Sequence, residues 1–305
     1  MFLSVYGHVN LDIILDLPRF PEPNTSIEII DSKRYFGGTG GNIARISAAL
    51  GTPLYLVSFV GEDFPEEYMK ALREEGVNVR FLKRVKGYHT PTCWIMSDRE
   101  HNQIAIMDQG PMKDMDKFEP AIEPIRDSEI IHITTGRPAF YLKVAKIARK
   151  MGKKIVFDPA QELHYVYTPE NFNAMLPYAD IFFCNESEAK RALEFSQKEE
   201  IHELLDFVEV IIQTLGKRGS RIITQEMEHF IPGVEVKNPR DTTGAGDAYR
   251  GGFYAALYRG YSMEASCAAG SITASEVIKM AGGQTNIPRW EFVEKRLKDM
   301  GYTPE

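Results

Sequence analysis

The 305-residue chain has little cysteine, no basic excess and no long apolar run, and each shortage closes off a class of protein. Its three cysteines, Cys93, Cys184 and Cys267, lie far apart and form no CxxC pair. That spacing argues against a disulfide scaffold or a zinc site, and they read as buried free thiols of a reducing compartment. Lysine and arginine number 36 against 43 aspartates and glutamates, a formal net charge of −7, so the basic face of a nucleic-acid binder is not expected. Small anionic ligands stay open, because main-chain N–H groups and a few cations bind phosphate without a basic protein around them. No run approaches the roughly 20 apolar residues that span a bilayer. Residues 1–7 carry no charged region and read as a first strand rather than a signal peptide. The expectation is a cytoplasmic protein that engages neither nucleic acid nor membrane. Internal repeats and low-complexity tracts are also missing.

What the chain does have is alternation. Apolar strand-like runs at 54–60, 129–134, 154–158, 181–184 and 209–214 are separated by helical stretches, among them 66–75, which Gly76 ends, and 139–151. Such alternation predicts βαβ units and a mostly parallel sheet covered on both faces. From Ala245 the pattern turns helical, through 245–258, 263–280 and 289–300. The basic cluster Arg149, Lys150, Lys153 and Lys154 suits a helix C-terminus. Two stretches, 12–36 and 88–108, break the alternation with β-type runs at 26–30, 92–96 and 103–107. The last two flank a polar turn at 97–102, a hairpin pattern. Together the two stretches predict a small β-subdomain on an α/β core made of residues 1–11, 37–87 and 109–305.

Four motifs carry chemistry. Asp241-Thr242-Thr243-Gly244-Ala245-Gly246-Asp247 stands just ahead of a helix. Glycines there let the backbone aim unpaired N–H groups at one point, and the helix dipole adds positive potential, a place for phosphate or developing negative charge. An aspartate in that turn can take the proton of a hydroxyl attacking phosphorus. The field of the helix start is expected to keep Asp247 ionised at neutral pH. A second cluster, Gly37-Gly38-Thr39-Gly40-Gly41-Asn42, permits close approach of a ligand, with Asn42 offering donor and acceptor to a sugar hydroxyl pair. It is neither a Walker loop nor a dinucleotide fingerprint. Thr214-Leu215-Gly216-Lys217-Arg218-Gly219 follows a strand where α/β proteins bind ligands. Asn185-Glu186-Ser187-Glu188 opens a helix, with Asn185 as a helix cap.

Singly, each motif reads as a turn, a loop or a cap. Taken in chain order, from Gly7 to about Pro288, they resemble the signatures of the ribokinase-like (phosphofructokinase-B) carbohydrate kinases. The resemblance implies a three-layer αβα sandwich with a mostly parallel central sheet and a β-lid formed by 12–36 and 88–108, often the dimer contact. It implies Asp247 as catalytic base and the Gly244, Ala245, Gly246 and Asp247 backbone as an anion hole. Asn10, Asp12, Gly38 and Asn42 would hold the acceptor, and Thr214, Gly216 and Gly219 would line the ATP site. Asn185 and Glu188 would organise magnesium and phosphates through water. Asp241 and Thr243 look like ligands of a monovalent cation such as potassium, although Asn286 stands where many relatives carry a serine ligand.

For the acceptor, the segment Asn102–Met107 followed by Gly110-Pro111-Met112 resembles the archaeal and bacterial nucleoside kinases. Cys93, Ile95, Ile104, Ile106 and Met107 offer apolar surface to a base. Gln103, Gln109 and Gln161 could read base edges or hydroxyls. The expectation is an ATP-dependent transfer to the 5′-hydroxyl of a nucleoside in a homodimer joined through the lid. A sugar kinase or sugar-phosphate kinase is the alternative within the family, and a non-catalytic ligand sensor the alternative outside it.

Overall fold

The computed structural model describes residues 1–100 and 102–304. The apolar runs become strands in chain order. β1 (Leu3–Tyr6) starts the large sheet, while β2 (Asn10–Asp16) and β3 (Asp31–Gly37) leave it. After α1 (Thr39–Ala49) the chain re-enters through β4 (Leu54–Gly61), α2 (Glu66–Glu74) and β5 (Asn78–Val85), then leaves again for the hairpin β6 (Thr92–Ser97) and β7 (Gln103–Asp108). Past α3 (Ile122–Asp127), regular alternation follows: β8 (Ile130–Ile133), α4 (Pro138–Lys150), β9 (Lys154–Phe157), α5 (Pro169–Met175), β10 (Ile181–Asn185), α6 (Glu186–Ser196) and β11 (Val210–Thr214). A hairpin of β12 (Gly219–Ile223) and β13 (Glu228–Pro232) precedes the helical end, α7 (Ala245–Tyr258), α8 (Met263–Val277) and α9 (Trp290–Asp299).

The large sheet runs β13-β12-β11-β10-β9-β8-β1-β4-β5, parallel except at its β12–β13 edge. Every residue of β4 is buried, as expected of a strand covered on both faces. One apolar layer, with Ile43, Tyr68, Phe253, Cys267 and Val293, packs α1, α2, α7, α8 and α9 on one face. The other, with Ile125, Tyr141, Phe172 and Ala189, packs α3 to α6 on the opposite face. This is the αβα sandwich anticipated above. The small sheet runs β3-β2-β6-β7, with β2 parallel to β6 and the outer pairs antiparallel.

One expected strand is not found. The run 26–30 carries no strand, and pairing with β2 begins only at Asp31. Pro21 and Pro23 precede it, Asn24 sits at φ 64, and the N–H of Thr25 turns back to the carbonyl of Glu22. Prolines lack the N–H a ladder needs, and a left-handed residue ends an extended segment, so local turn chemistry overrides β-branched propensity.

Candidate active site

Parallel strands β1, β8, β9, β10 and β11 end on the same edge of the sheet, the edge where open α/β sheets bind ligands. Residues at or just past those ends, namely His8, Thr135, Asp158, Asn185 and Thr214, line one cavity of about 1440 Å³. A pocket for one small ligand is commonly about 300–1,000 Å³, so this volume accommodates two side by side.

The two halves meet at the start of α7. Gly244 caps that helix at φ 75, a left-handed conformation, and a Cβ there would lie 2.8 Å from the Cα of Gly283. Only glycine fits both demands. The N–H of Ala245 is spent on the carbonyl of Thr242 at 3.1 Å, which leaves the first-turn donors to Gly246 and Asp247. Asp247 keeps part of its surface open to the cavity but is otherwise enclosed by protein. Asn42 Nδ2 donates to its Oδ2 at 2.7 Å. Enclosure nevertheless wins over that bond and over the nearby Arg250, and pushes the carboxyl up to about 7. The expectation that Asp247 stays ionised at neutral pH through the helix field is thus met by an opposing effect, since desolvation is the largest influence on its carboxyl.

On the small-sheet side of the cavity, Asn10 Nδ2 donates to Asp12 Oδ1 at 2.6 Å. Burial raises Asp12 to about 6, the Asn10 bond opposing and the charge of Asp241 adding to the shift. Gly38, at φ 92, lets the backbone pass so close that a Cβ would stand 2.5 Å from the carbonyl oxygen of His8. Asn42 does not present a free donor–acceptor pair. Its Oδ1 accepts from Gln284 Nε2 at 2.7 Å while its Nδ2 serves Asp247. Gln284 also donates to Tyr68 Oη at 2.7 Å and accepts from Arg45 Nη1 at 3.1 Å, so the amide of Asn42 is held in one orientation.

Of the three glutamines, Gln161 lines the cavity and Gln103 does not. Gln103 opens β7 opposite Ser97 and is exposed, because that register puts it at the hairpin tip. Gln109 is tied to His8 Nε2 at 2.5 Å and donates to Glu162 Oε1 at 3.1 Å, and the N–H of Gly136 donates to Glu162 Oε2. Cys93, Ile95, Ile106 and Met107 reach the cavity from the small sheet, while Ile104 stays outside its lining. His8, Glu162 and Tyr165 line it as well and were not read from the sequence. Their only signal was position, His8 just beyond β1 and the other two beyond β9.

On the other side, Asn185 and Glu188 form a reciprocal cap on α6, Asn185 Oδ1 accepting from Glu188 N at 2.9 Å and Glu188 Oε2 from Asn185 N at 2.8 Å. Burial, with Asp158 as second cause, lifts Glu188 to about 7. Thr214, Gly216 and Gly219 line this half with Lys217 and Val236. Asp241 lies beneath the α7 loop, its two carboxylate oxygens accepting from Thr243 N and Gly282 N, both at 2.9 Å. Asn286 Nδ2 donates to the carbonyl of Glu276 at 2.7 Å.

A further pair emerges only in three dimensions. Arg250 grips Asp158 with two parallel bonds, Nε to Oδ2 at 2.8 Å and Nη2 to Oδ1 at 3.0 Å, both side chains being almost fully buried. Its Nη1 donates to the carbonyl of Gly246 at 3.2 Å, inside the turn that carries Asp247.

A family model described as pfkB family carbohydrate kinase matches residues 2–290. A nucleoside kinase of Methanocaldococcus jannaschii is 37% identical over 298 residues, covering 97% of this chain and 96% of that protein. One from Methanothermobacter thermautotrophicus is 35% identical, covering 99% and 97%. The crystal structure of the Methanocaldococcus jannaschii enzyme superposes with a TM-score of 0.91 at 36% identity, covering 97% and 98%. The chain belongs to the pfkB family of carbohydrate kinases, phosphotransferases that use an alcohol as acceptor.

Proposed function

We propose that this enzyme transfers the γ-phosphoryl group of ATP to the 5′-hydroxyl of a nucleoside, giving a nucleoside monophosphate and ADP. The observation that carries the reading is a single cavity lined by Asp247 together with Asn10, Asp12, Gly38 and Asn42 and with the Thr214–Gly219 loop. The apolar wall of Cys93, Ile95, Ile106 and Met107 suits a base better than a small polar sugar, and the full-length relatives above are named nucleoside kinases. A sugar phosphate would call for cations in the small sheet. Lys33 there is exposed and paired with Asp31 at 2.7 Å, outside the cavity lining.

In this reading the small sheet is a lid, and Asp12, held by Asn10, bonds the ribose hydroxyls. Asp247 accepts the 5′-hydroxyl proton as that oxygen bonds to phosphorus and the bridging oxygen leaves with ADP. The Gly246 and Asp247 N–H groups and the dipole of α7 meet the charge on the phosphoryl oxygens. Among the described residues no group of three or more His, Cys, Asp and Glu could hold a metal, so magnesium would arrive on the phosphates and meet Glu188 through water. It would supply charge neutralisation there. Asp241 accepts one main-chain N–H on each carboxylate oxygen, which leaves a lone pair on each for a monovalent cation such as potassium beside Thr243. We place a homodimer contact on the outer lid, where Ile29, Ile30 and Ile104 are exposed; sedimentation would show a single copy if that placement is wrong.

The experiment is a coupled ATP-consumption screen over nucleosides, ribose, fructose and fructose phosphates. Nucleosides are expected to give the highest kcat/KM. A sugar or sugar phosphate turning over fastest would overturn the nucleoside reading.

A further inference from the structure

We propose that Arg250 and Asp158 form a positioning brace that locks the first turn of α7 to the end of β9 and balances the charge beside the base. The inference rests on Asp247 being that base, whatever the acceptor.

Arg250 follows Asp247 by three residues, so both project from the same side of α7. Its guanidinium uses the planar fork that only arginine offers: two bonds to Asp158 and one to the carbonyl of Gly246. That third bond ties the brace to the residue directly before Asp247. The guanidinium also lies over the ring of Phe183 at 4.7 Å, which restricts its rotation. Behind the pair, His132 places Nε2 3.5 Å from Asp158 Oδ2 and has its other ring nitrogen 2.7 Å from Tyr254 Oη. Burial holds that imidazole down to about 4, so it is neutral at physiological pH and does not cancel Asp158.

The groups acting on Asp247 are Asn42 from α1, Asp12 from β2, Asp158 from the end of β9 and Arg250 from its own helix. Tyr68, from α2, also feels its charge. Among these the only cation is Arg250. Lys217, which also lines the cavity, is exposed on the far loop. Glu188 is close enough to Arg250 and Asp158 for both to act on it, which puts a further acid around the one guanidinium. Breaking either partner of the brace therefore changes the charge next to the base in opposite directions. Arg250→Gln removes the attraction for ionised Asp247. Asp158→Asn leaves Arg250 uncompensated and strengthens that attraction.

The test is the pH profile of kcat/KM for Arg250→Gln, Asp158→Asn and the double variant, using whichever acceptor the wild type phosphorylates. The acid limb is expected to rise by roughly one pH unit in Arg250→Gln and to fall by a similar amount in Asp158→Asn. In the double variant, where a neutral amide pair replaces the ion pair, it returns to near the wild-type position. KM for ATP is expected to stay within about threefold throughout, since the brace acts on the base. Limbs that stay put, or that move the same way in both single variants, would overturn the proposal. If Arg250→Gln fails to fold, Asp158→Asn and the double variant still decide it, because a limb that does not fall in the first and recover in the second sinks the idea. Asp247→Asn separates the two readings: loss of turnover in that variant with no opposed shifts in the others leaves the base standing and removes the brace.

Discussion

At the residue scale, enclosure suits Asp247 to the base role proposed for it. A carboxylate at its ordinary value is a weak proton acceptor at neutral pH, whereas one raised to about 7 is matched to the task. Only the ionised form accepts the proton, so the raised value predicts activity that falls as pH drops through about 7. The acid limb of kcat/KM is expected near that pH, losing about tenfold per unit below it. A profile flat down to about pH 5 would remove Asp247 as the titrating base. Asp247→Asn keeps the shape and the Asn42 contact but not the basicity. It is expected to lower kcat by roughly 10²–10⁴ with ATP still bound, as single-turnover kinetics and nucleotide titration can show.

At the scale of elements, the site depends on α1 and α7 meeting in a fixed relation. Gly244 is where α7 begins, and Gly244→Ala would force a side chain into the left-handed region and against the backbone of Gly283. The conformational cost is about 1–2 kcal/mol before any clash. The expected outcome is a lowered Tm together with a kcat loss of at least about tenfold, because the N–H groups proposed to meet the phosphoryl charge move with the turn. Unchanged kcat in that variant would mean the turn does not position the donors. Gln284 joins the same two helices from the other side through Asn42. Gln284→Leu removes its donors to Asn42 and Tyr68 and frees the Asn42 amide to rotate. It should cost kcat more than it costs ATP KM, and equal losses in both would point to general disorder instead.

At the scale of the whole molecule, the cavity is lined from both the small sheet and the edge of the large one. Cys93, on β6, is the half-exposed one of three free cysteines, while Cys184 and Cys267 are buried. Its thiol is raised to about 11 by burial and then by Asp12, so a neutral thiol reagent reacts with it slowly. In the native protein Cys93 is expected to be the cysteine that is labelled, and a saturating nucleoside is expected to slow that labelling severalfold. Mass spectrometry of the modified peptides checks both points, and labelling indifferent to every accepted substrate would put the acceptor elsewhere.

The order of strands and helices, the glycine turn ahead of α7 and the cap on α6 were legible in the sequence, because each depends on near neighbours. Apolar runs bury whatever they meet, and a glycine turn or an Asn cap is satisfied within a few residues. The run at 26–30 misled for the same reason: β-branched residues are a local signal, and the prolines and Asn24 ahead of them were a stronger one. Tertiary structure alone decided the rest. Arg250 meets Asp158 across 92 positions and Gln284 meets Asn42 across 242, and no local pattern encodes either pairing. The register of β7 against β6 sent Gln103 to solvent, and the packing around Asp247 set its proton affinity. Sequence specifies which groups exist and what conformations their neighbours permit. Distance and burial, which fix the strength of every charge interaction, exist only once the chain has closed on itself.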